Sequence, residues 1–257
     1  MRTTRAPPRI AAHCTEVRPE LTGHMPMSPI RDAKDDGNQV VAVDETPSHR
    51  RAVNYDLVVI AASKGGIQAV SRILGALPAS FPVPIAVLIH RGVGLPNYQA
   101  KVVQTSTVLP VRFAEESLRL RHGNVYLAPP HLHLTVDHHH RFALVDGRRI
   151  RYLRSSANPL FSSAAAVFGR RLLAVVLTGL ARDGTDGVQE VKKHGGTVIA
   201  QNEETCEEFS MPRSAIATGC VDLVLPLEEI GPTLVRLVTG EGAVPNETHG
   251  AMKVSLT

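Results

Sequence analysis

One apolar run near residue 56 constrains the fold more than any other feature of the sequence. Residues 57–62 read Leu-Val-Val-Ile-Ala-Ala and contain no polar side chain. A strand that faces water on one side would alternate apolar and polar residues, so this run predicts a strand that is covered on both faces. Such strands are typical of parallel sheets that lie between layers of helices. A helical pattern follows from Ile67 to Leu77, and residues 84–89 predict the next strand.

Strand and helix patterns continue to alternate toward the C-terminus. Further strands are predicted at 172–177, 197–201 and 221–225, and further helices at about 185–194 and 227–237. This alternation predicts an α/β fold, namely a doubly wound, mainly parallel sheet with helices on both faces.

The stretch from 111 to 151 has a different pattern. Its short runs alternate in polarity and are separated by turn residues; they are 125–128, 132–136 and 141–145. We interpret them as an antiparallel hairpin or meander that is attached to the main sheet.

Both ends of the chain lack a sustained apolar period. Residues 1–52 carry recurrent prolines and charges of both signs, which is typical of a segment that cannot bury enough surface to offset its ordering entropy. We predict a disordered N-terminal extension over 1–52, a folded domain over 53–240 and a flexible tail over 241–257.

Charge and composition exclude some function classes. The net charge of +4 would suit nucleic acid, but the basic residues are scattered apart from a cluster between Arg148 and Arg154. Because phosphate recognition concentrates positive charge on one face, we expect no nucleic-acid partner. The aromatic fraction of 4% also argues against a base-stacking platform. Attraction to an acidic protein surface fits the same charge.

Cysteine usage and hydropathy bear on the compartment. The three cysteines (Cys14, Cys206 and Cys220) are odd in number and lack metal-ligand spacing, which indicates reduced thiols. No run approaches the length of a membrane helix, and the N-terminus lacks the apolar region of a secretory signal. We therefore expect a cytoplasmic protein without membrane insertion.

Three reactive side chains follow predicted strands. Ser63 and His90 come directly after strands, and Asp183 lies five residues after Thr178, at the end of another. Ligands bind beyond the carboxyl ends of parallel strands, so these groups can form a nucleophile, a base and an orienting carboxylate. Gly65 permits a sharp turn after Ser63, and the helix N-terminus that follows can stabilise an oxyanion.

Each residue also has a simpler interpretation. A serine before Gly-Gly is most often a helix N-cap or part of a phosphate loop. A histidine at a strand end is usually structural, and Asp183-Gly184 is an ordinary turn signal. Spacing alone leaves these alternatives open.

Five motifs, in chain order, resemble those of the chemotaxis protein-glutamate methylesterases. Ile60-Ala-Ala-Ser63-Lys-Gly-Gly resembles the family's GAS-x-GG signature, and Leu88-Ile-His90 stands where the family has the histidine of its QHM segment. The remaining three are Val125-Tyr-Leu-Ala-Pro-Pro, which matches YLAP; Leu177-Thr-Gly-Leu-Ala-Arg-Asp183-Gly, which resembles LTGMGxDG; and Ala200-Gln-Asn-Glu with Met211-Pro-Arg213, which resembles AQ-(E/D)…MPR. The resemblance covers about 53–237.

This resemblance implies hydrolysis of γ-glutamyl methyl esters on the cytoplasmic helices of chemoreceptors, and the related deamidation of glutamine. The implied catalytic residues are Ser63 as nucleophile, His90 as base and Asp183 as orienting carboxylate. No cofactor or metal is implied. The residues expected at the oxyanion or substrate site are Lys64, Gly65, Leu180, Met211 and Arg213.

Several positions depart from the family pattern. No apolar strand pattern precedes residue 53, so we predict no phosphorylated receiver domain there. Lys64, Arg91 and Asn158 replace residues that differ in charge or polarity in the family, and Leu180-Ala181 replaces Met-Gly. These changes keep open a rival hypothesis, a catalytically weak or inactive module that binds receptor or kinase. Hydrolysis of a small-molecule ester or amide is a more distant alternative.

A group of histidines suggests metal binding at first sight. They are His131, His133 and His138–His140. No cysteine or glutamate completes a ligand set, and the last three fall in a predicted hairpin turn. We interpret them as at most an adventitious site.

Overall fold

The computed structural model describes residues 55–90, 99–146 and 155–240. The predicted disorder of 1–52 and the tail over 241–257 lie outside the described residues, as do Arg91 and the basic cluster at 148–154. None of the described helices has the length and apolar character that a membrane span requires.

Strands and helices alternate along the described chain. The strands are β1 (Leu57–Ala62), β2 (Ile85–Ile89), β3 (Val111–Phe113), β4 (Val125–Leu127), β5 (His133–Val136), β6 (Phe142–Val145), β7 (Leu172–Val176), β8 (Thr197–Gln201) and β9 (Leu223–Leu225). The helices are α1 (Gly66–Gly75), α2 (Gln99–Gln104), α3 (Ala157–Phe168), α4 (Thr185–Lys193), α5 (Ser210–Ile216) and α6 (Leu227–Thr239), with a 3-10 turn at Gly169–Arg171. The sequence patterns did not predict α2, α3, α5 or β3.

Seven of these strands form one sheet in the order β3-β4-β2-β1-β7-β8-β9. All pairings in this sheet are parallel, which confirms the predicted α/β fold. The central strand β1 pairs with β2 on one side and with β7 on the other. Loops that leave the carboxyl ends of these three strands therefore diverge around one crevice, the usual ligand position in such sheets.

The two faces of β1 enter different hydrophobic clusters. Its first, third and fifth residues pack with side chains of α3, α4 and α5, and its second, fourth and sixth residues pack with α1, α2 and α6. All six are fully buried. The run contains no polar residue because neither face meets water, and each large side chain buried in this way contributes about 1.5–3 kcal/mol.

One part of the fold prediction is wrong. Residues 125–127 do not belong to an antiparallel meander; they form β4, which pairs in parallel with β2 and β3. All three residues are buried, as expected for a strand that is covered on both faces. Only β5 and β6 form the antiparallel hairpin, and they make a separate two-stranded sheet rather than extending the main one.

The hairpin packs against α3. The hydroxyl of Ser163 on α3 accepts a hydrogen bond of 3.1 Å from the backbone N–H of Val136 on β5. His138–His140 lie in the turn between β5 and β6, as predicted. The part of the chain that the structure describes contains no group of three or more side chains arranged to hold a metal ion.

Candidate active site

Ser63 occupies a sharp turn between β1 and α1. The carbonyl of Ser63 accepts a hydrogen bond of 2.9 Å from the N–H of Gly66, and Gly65 between them has a positive φ of 74°. A Cβ on Gly65 would lie 2.7 Å from Oε2 of Glu207, and one on Gly66 would lie 2.7 Å from Cβ of Ala62. The turn that presents Ser63 at the sheet edge therefore needs glycine at both positions.

His90 follows β2 at the same level as Ser63 follows β1. The last residues of these strands, Ala62 and Ile89, are paired in register, and the N–H of His90 donates to the carbonyl of Ala62 at 2.9 Å. Neighbouring strands lie about 4.8 Å apart, so Ser63 and His90 begin side by side at the carboxyl end of the sheet. The N–H of Ser63 donates to the carbonyl of Thr178, which fixes it to the end of β7 as well.

Asp183 reaches this edge from the loop after β7. Its Oδ2 lies 2.8 Å from Nε2 of His90, and both side chains are almost completely buried. The structure thus brings together the imidazole and the carboxylate that the sequence predicted as partners. Nε2 and Oδ2 are within ion-pair distance, but their alignment does not meet hydrogen-bond geometry.

The start of α3 supplies two further donors to Asp183. Oδ1 accepts a hydrogen bond of 2.5 Å from the hydroxyl of Ser156, and Oδ2 accepts one of 2.6 Å from the N–H of Ala157. Burial acts to raise the pKa of the Asp183 carboxyl, but His90 and these two donors outweigh it, so the pKa lies below its ordinary value. The group is held as a carboxylate.

Thr178 joins the loop of Ser63 to the loop between β8 and α5. Its hydroxyl accepts from the N–H of Glu208 at 2.9 Å and lies 3.0 Å from the carbonyl oxygen of Lys64. Its own N–H donates to Oε1 of Gln201, a side chain with no exposed surface. Sequence reasoning missed Ser156, Thr178 and Gln201 as supports of the site, because each acts through contacts between distant segments.

Three of the five predicted oxyanion or substrate residues lie close to Ser63. Lys64 and Gly65 follow it directly, and the Nζ of Lys64 is 3.8 Å from Oε1 of Glu207. Leu180 is 52% exposed and adjoins Gly179, whose Cα packs against Ser63. These residues border the crevice.

The other two predicted substrate residues are placed differently. Met211 is fully buried beneath Gly179, to whose carbonyl its N–H donates at 2.9 Å. Arg213 is exposed on α5, where its guanidinium lies over the ring of Phe209 and 3.8 Å from Glu203. In the structure Met211 supports the crevice from below, and Arg213 contacts Phe209 and Glu203, which shortly precede it in the chain.

Comparison with known proteins gives one consistent result. The CheB methylesterase family model matches residues 58–234. The crystal structure of the Thermotoga maritima CheB methylesterase catalytic domain is similar with a TM-score of 0.68 and 37% identity, covering 72% of this chain and all of that one.

Among curated relatives, a Leptospira interrogans protein is 36% identical over 185 residues, which are 72% of this chain and 96% of that protein. The protein-glutamate methylesterase FrzG of Myxococcus xanthus is 40% identical over 184 residues, and the group 3 operon protein-glutamate methylesterase/protein-glutamine glutaminase of Rhizobium meliloti is 38% identical over 208. The matches span 55% and 58% of these two longer proteins. The chain belongs to the CheB methylesterase family.

Proposed function

We propose that the chain is a protein-glutamate methylesterase that cleaves γ-glutamyl methyl esters, with Ser63 as nucleophile, His90 as general base and Asp183 as the orienting carboxylate. The observation that carries the proposal is the 2.8 Å contact between His90 and Asp183 beside the turn that presents Ser63. Family membership supports the reaction class, since relatives carry this activity in their names.

In the first half-reaction the Ser63 hydroxyl attacks the ester carbonyl carbon while Nδ1 of His90 takes its proton. The positive charge that develops on the imidazole is stabilised at Nε2 by Asp183, which is already a carboxylate. Collapse of the tetrahedral intermediate breaks the bond to the methoxy oxygen. His90 returns the proton to that oxygen, and methanol leaves an acyl-enzyme on Ser63.

In the second half-reaction water attacks the acyl carbon and gives its proton to His90. The bond to the Ser63 oxygen then breaks, the proton returns to that oxygen, and a glutamate side chain is released. A glutamine substrate would follow the same steps, with ammonia in place of methanol. The same three residues therefore account for both activities in the relatives' names.

Backbone N–H groups of Lys64, Gly65 and Leu180 are the proposed oxyanion donors. The first two lie at the turn into α1, where the helix N-terminus favours negative charge. Lys64, which pairs with Glu207, and the exposed Leu180 give the rim of the crevice a polar and an apolar surface. Because relatives are named protein-glutamate methylesterases, we propose methylated chemoreceptor helices as the partner and the cytoplasm as the site of action.

Labelling with a fluorophosphonate probe tests the nucleophile without needing the receptor. We expect one label, on Ser63, and its loss in Ser63→Ala. Ser214→Ala is the matched control, because the Ser214 hydroxyl on α5 donates to the carbonyl of Ser210 on its own helix.

Methanol release from methylated receptor then tests the substrate. Ser63→Ala and His90→Ala should lower turnover by about 10³-fold or more. A folded wild-type protein that neither labels at Ser63 nor releases methanol would indicate the rival function, a binding module of the same fold.

A further inference from the structure

The carboxylate of Asp183 is held by a chain of hydrogen bonds that continues past the proposed triad. Besides their contact with His90, its two oxygens accept hydrogen bonds from the hydroxyl of Ser156, the N-cap of α3, and from the N–H of Ala157, the first residue of α3. The chain then continues to His133 on β5, whose Nδ1 accepts a hydrogen bond of 3.2 Å from the backbone N–H of Ser156. His133 and Ser156 are both buried.

The hydroxyl of Ser156 donates one hydrogen bond and accepts another. Its single proton goes to Asp183, and its oxygen accepts from the N–H of Asn158 at 3.3 Å, as a helix N-cap does. Each bond strengthens the other, because a hydroxyl that accepts a hydrogen bond becomes a better donor. The N-cap of α3 is thus also a support of the proposed catalytic carboxylate.

His133 positions this N-cap by accepting the hydrogen bond from the backbone N–H of Ser156. A ring nitrogen that accepts a hydrogen bond carries no proton, so the contact with Ser156 requires the form of His133 whose Nδ1 is unprotonated. If His133 turned or lost its acceptor, the N–H of Ser156 would be buried without this partner and the start of α3 would shift. The hairpin has no ladder to the main sheet, and His133 links it to the site through Ser156.

We infer that Ser156 and His133 are positioning residues, which aim Asp183 at Nε2 of His90 through the start of α3. The inference rests on the proposed function, since positioning matters only if His90 acts as a base. It assigns a role in catalysis to the β5–β6 hairpin, which contributes no residue to the triad.

A variant on the same helix separates positioning from simple support of α3. Ser163 also joins α3 to the hairpin, through the N–H of Val136, but its hydroxyl donates to the carbonyl of Pro159 on its own helix rather than to Asp183. Ser163→Ala should therefore weaken the packing of α3 on the hairpin without disturbing Asp183. Ser156→Ala removes a donor to Asp183, and Ser156→Thr retains the hydroxyl.

The first readout is the pH dependence of fluorophosphonate labelling at Ser63. In Ser156→Ala we expect labelling to slow about 10-fold and its low-pH limb to move to higher pH, because the carboxylate form of Asp183 loses a hydrogen-bond donor. Ser156→Thr should restore the pH dependence of labelling seen in the wild type, and Ser163→Ala should not change it. Identical pH profiles of labelling in Ser156→Ala and Ser163→Ala would overturn the inference.

His133 is tested by a pair of substitutions. Asn places a carbonyl oxygen near the Nδ1 position and keeps an acceptor, whereas Leu fills similar space without one. We expect His133→Leu to label about 10-fold more slowly and His133→Asn to approach the wild type. If both variants fold and label alike, His133 has no positioning role.

The second readout needs neither probe nor substrate. The proton between His90 and Asp183 should give a far-downfield proton NMR signal, which we expect to broaden or vanish in Ser156→Ala and His133→Leu and to persist in Ser163→Ala. An unchanged signal in all variants overturns the inference and leaves the proposed function intact. If the signal changes in Ser156→Ala and His133→Leu but the wild-type protein has no esterase activity, the positioning role is supported and the proposed function is refuted.

Discussion

Gly179 lies against Ser63 so closely that a methyl group on Gly179 would be 2.7 Å from the Cβ and 3.0 Å from the backbone nitrogen of Ser63. Below it lies the fully buried side chain of Met211. The flexible Met211 side chain can change rotamer, but the Cβ and backbone nitrogen of Ser63 cannot move away without a shift of backbone. The absence of a side chain at Gly179 therefore sets the position of Ser63.

Gly179→Ala should displace the Ser63 turn. We expect fluorophosphonate labelling to fall about 100-fold and the free energy of unfolding to fall by about 1–3 kcal/mol, the usual cost of overpacking. Gly219→Ala is the control, because a Cβ there meets no atom within 4 Å although its φ of 71° makes the substitution strained. Similar labelling losses in both variants would show that general destabilisation, rather than contact with Ser63, is responsible.

Thr178→Val should loosen the loop between β8 and α5. Valine keeps the shape of threonine but leaves the N–H of Glu208 without its acceptor, so we expect a loss of about 1–3 kcal/mol in denaturant unfolding and slower labelling of Ser63. Thr239→Val, which removes an exposed hydroxyl bond on α6, should change stability by less than about 0.5 kcal/mol. Equal losses in the two variants would contradict the role of Thr178.

The lowered pKa of Asp183 gives its contribution to stability a definite pH dependence. The contribution is fully present above the ordinary pKa of aspartate, about 4, and is lost as pH falls through the lower value in the folded protein. The Tm difference between wild type and Asp183→Asn should therefore be largest near neutral pH and shrink below about pH 4. A difference that is constant or grows toward pH 3 would contradict this sign.

Cys206 should react slowly with alkylating reagents although it lies near the site. Burial, with the nearby charges of Glu203 and Glu208, raises the pKa of its thiol to about 11. At pH 8 about one thiol in 10³ is then thiolate, against about one in four for a free cysteine. Peptide mapping after iodoacetamide treatment should show slow modification in the native protein and ordinary rates in urea; equal rates would refute it.

The central strands, and the placing of Ser63, His90 and Asp183 beyond their carboxyl ends, were predictable because each rests on a local pattern. The run 57–62 has no polar residue, and Ser63, His90 and Asp183 follow strands whose order along the chain matches the family motifs. Burial on two faces leaves an unambiguous trace in sequence. The strand at 125–127 left no such trace, because three residues are too few to separate a buried strand from an alternating one.

Helix α3 and its contacts were not predicted for a different reason. Its sequence opens with Ala-Asn-Pro and contains two serines, so no apolar period stands out, although a serine N-cap with proline in the first turn is a permitted start. That Ser156 bonds to Asp183 and His133 depends on segments more than 20 residues away. Such pairings arise from tertiary packing rather than from local propensity.

The residues of the proposed triad follow β2, β1 and β7, the three adjacent strands at the middle of the sheet. Fraying begins at termini and edges, here β3 and β9, and the last segments to open in native-state hydrogen exchange are core strands. Backbone amides of the three central strands should therefore exchange only through global unfolding. Local opening at either edge of the molecule would leave the reactive groups assembled.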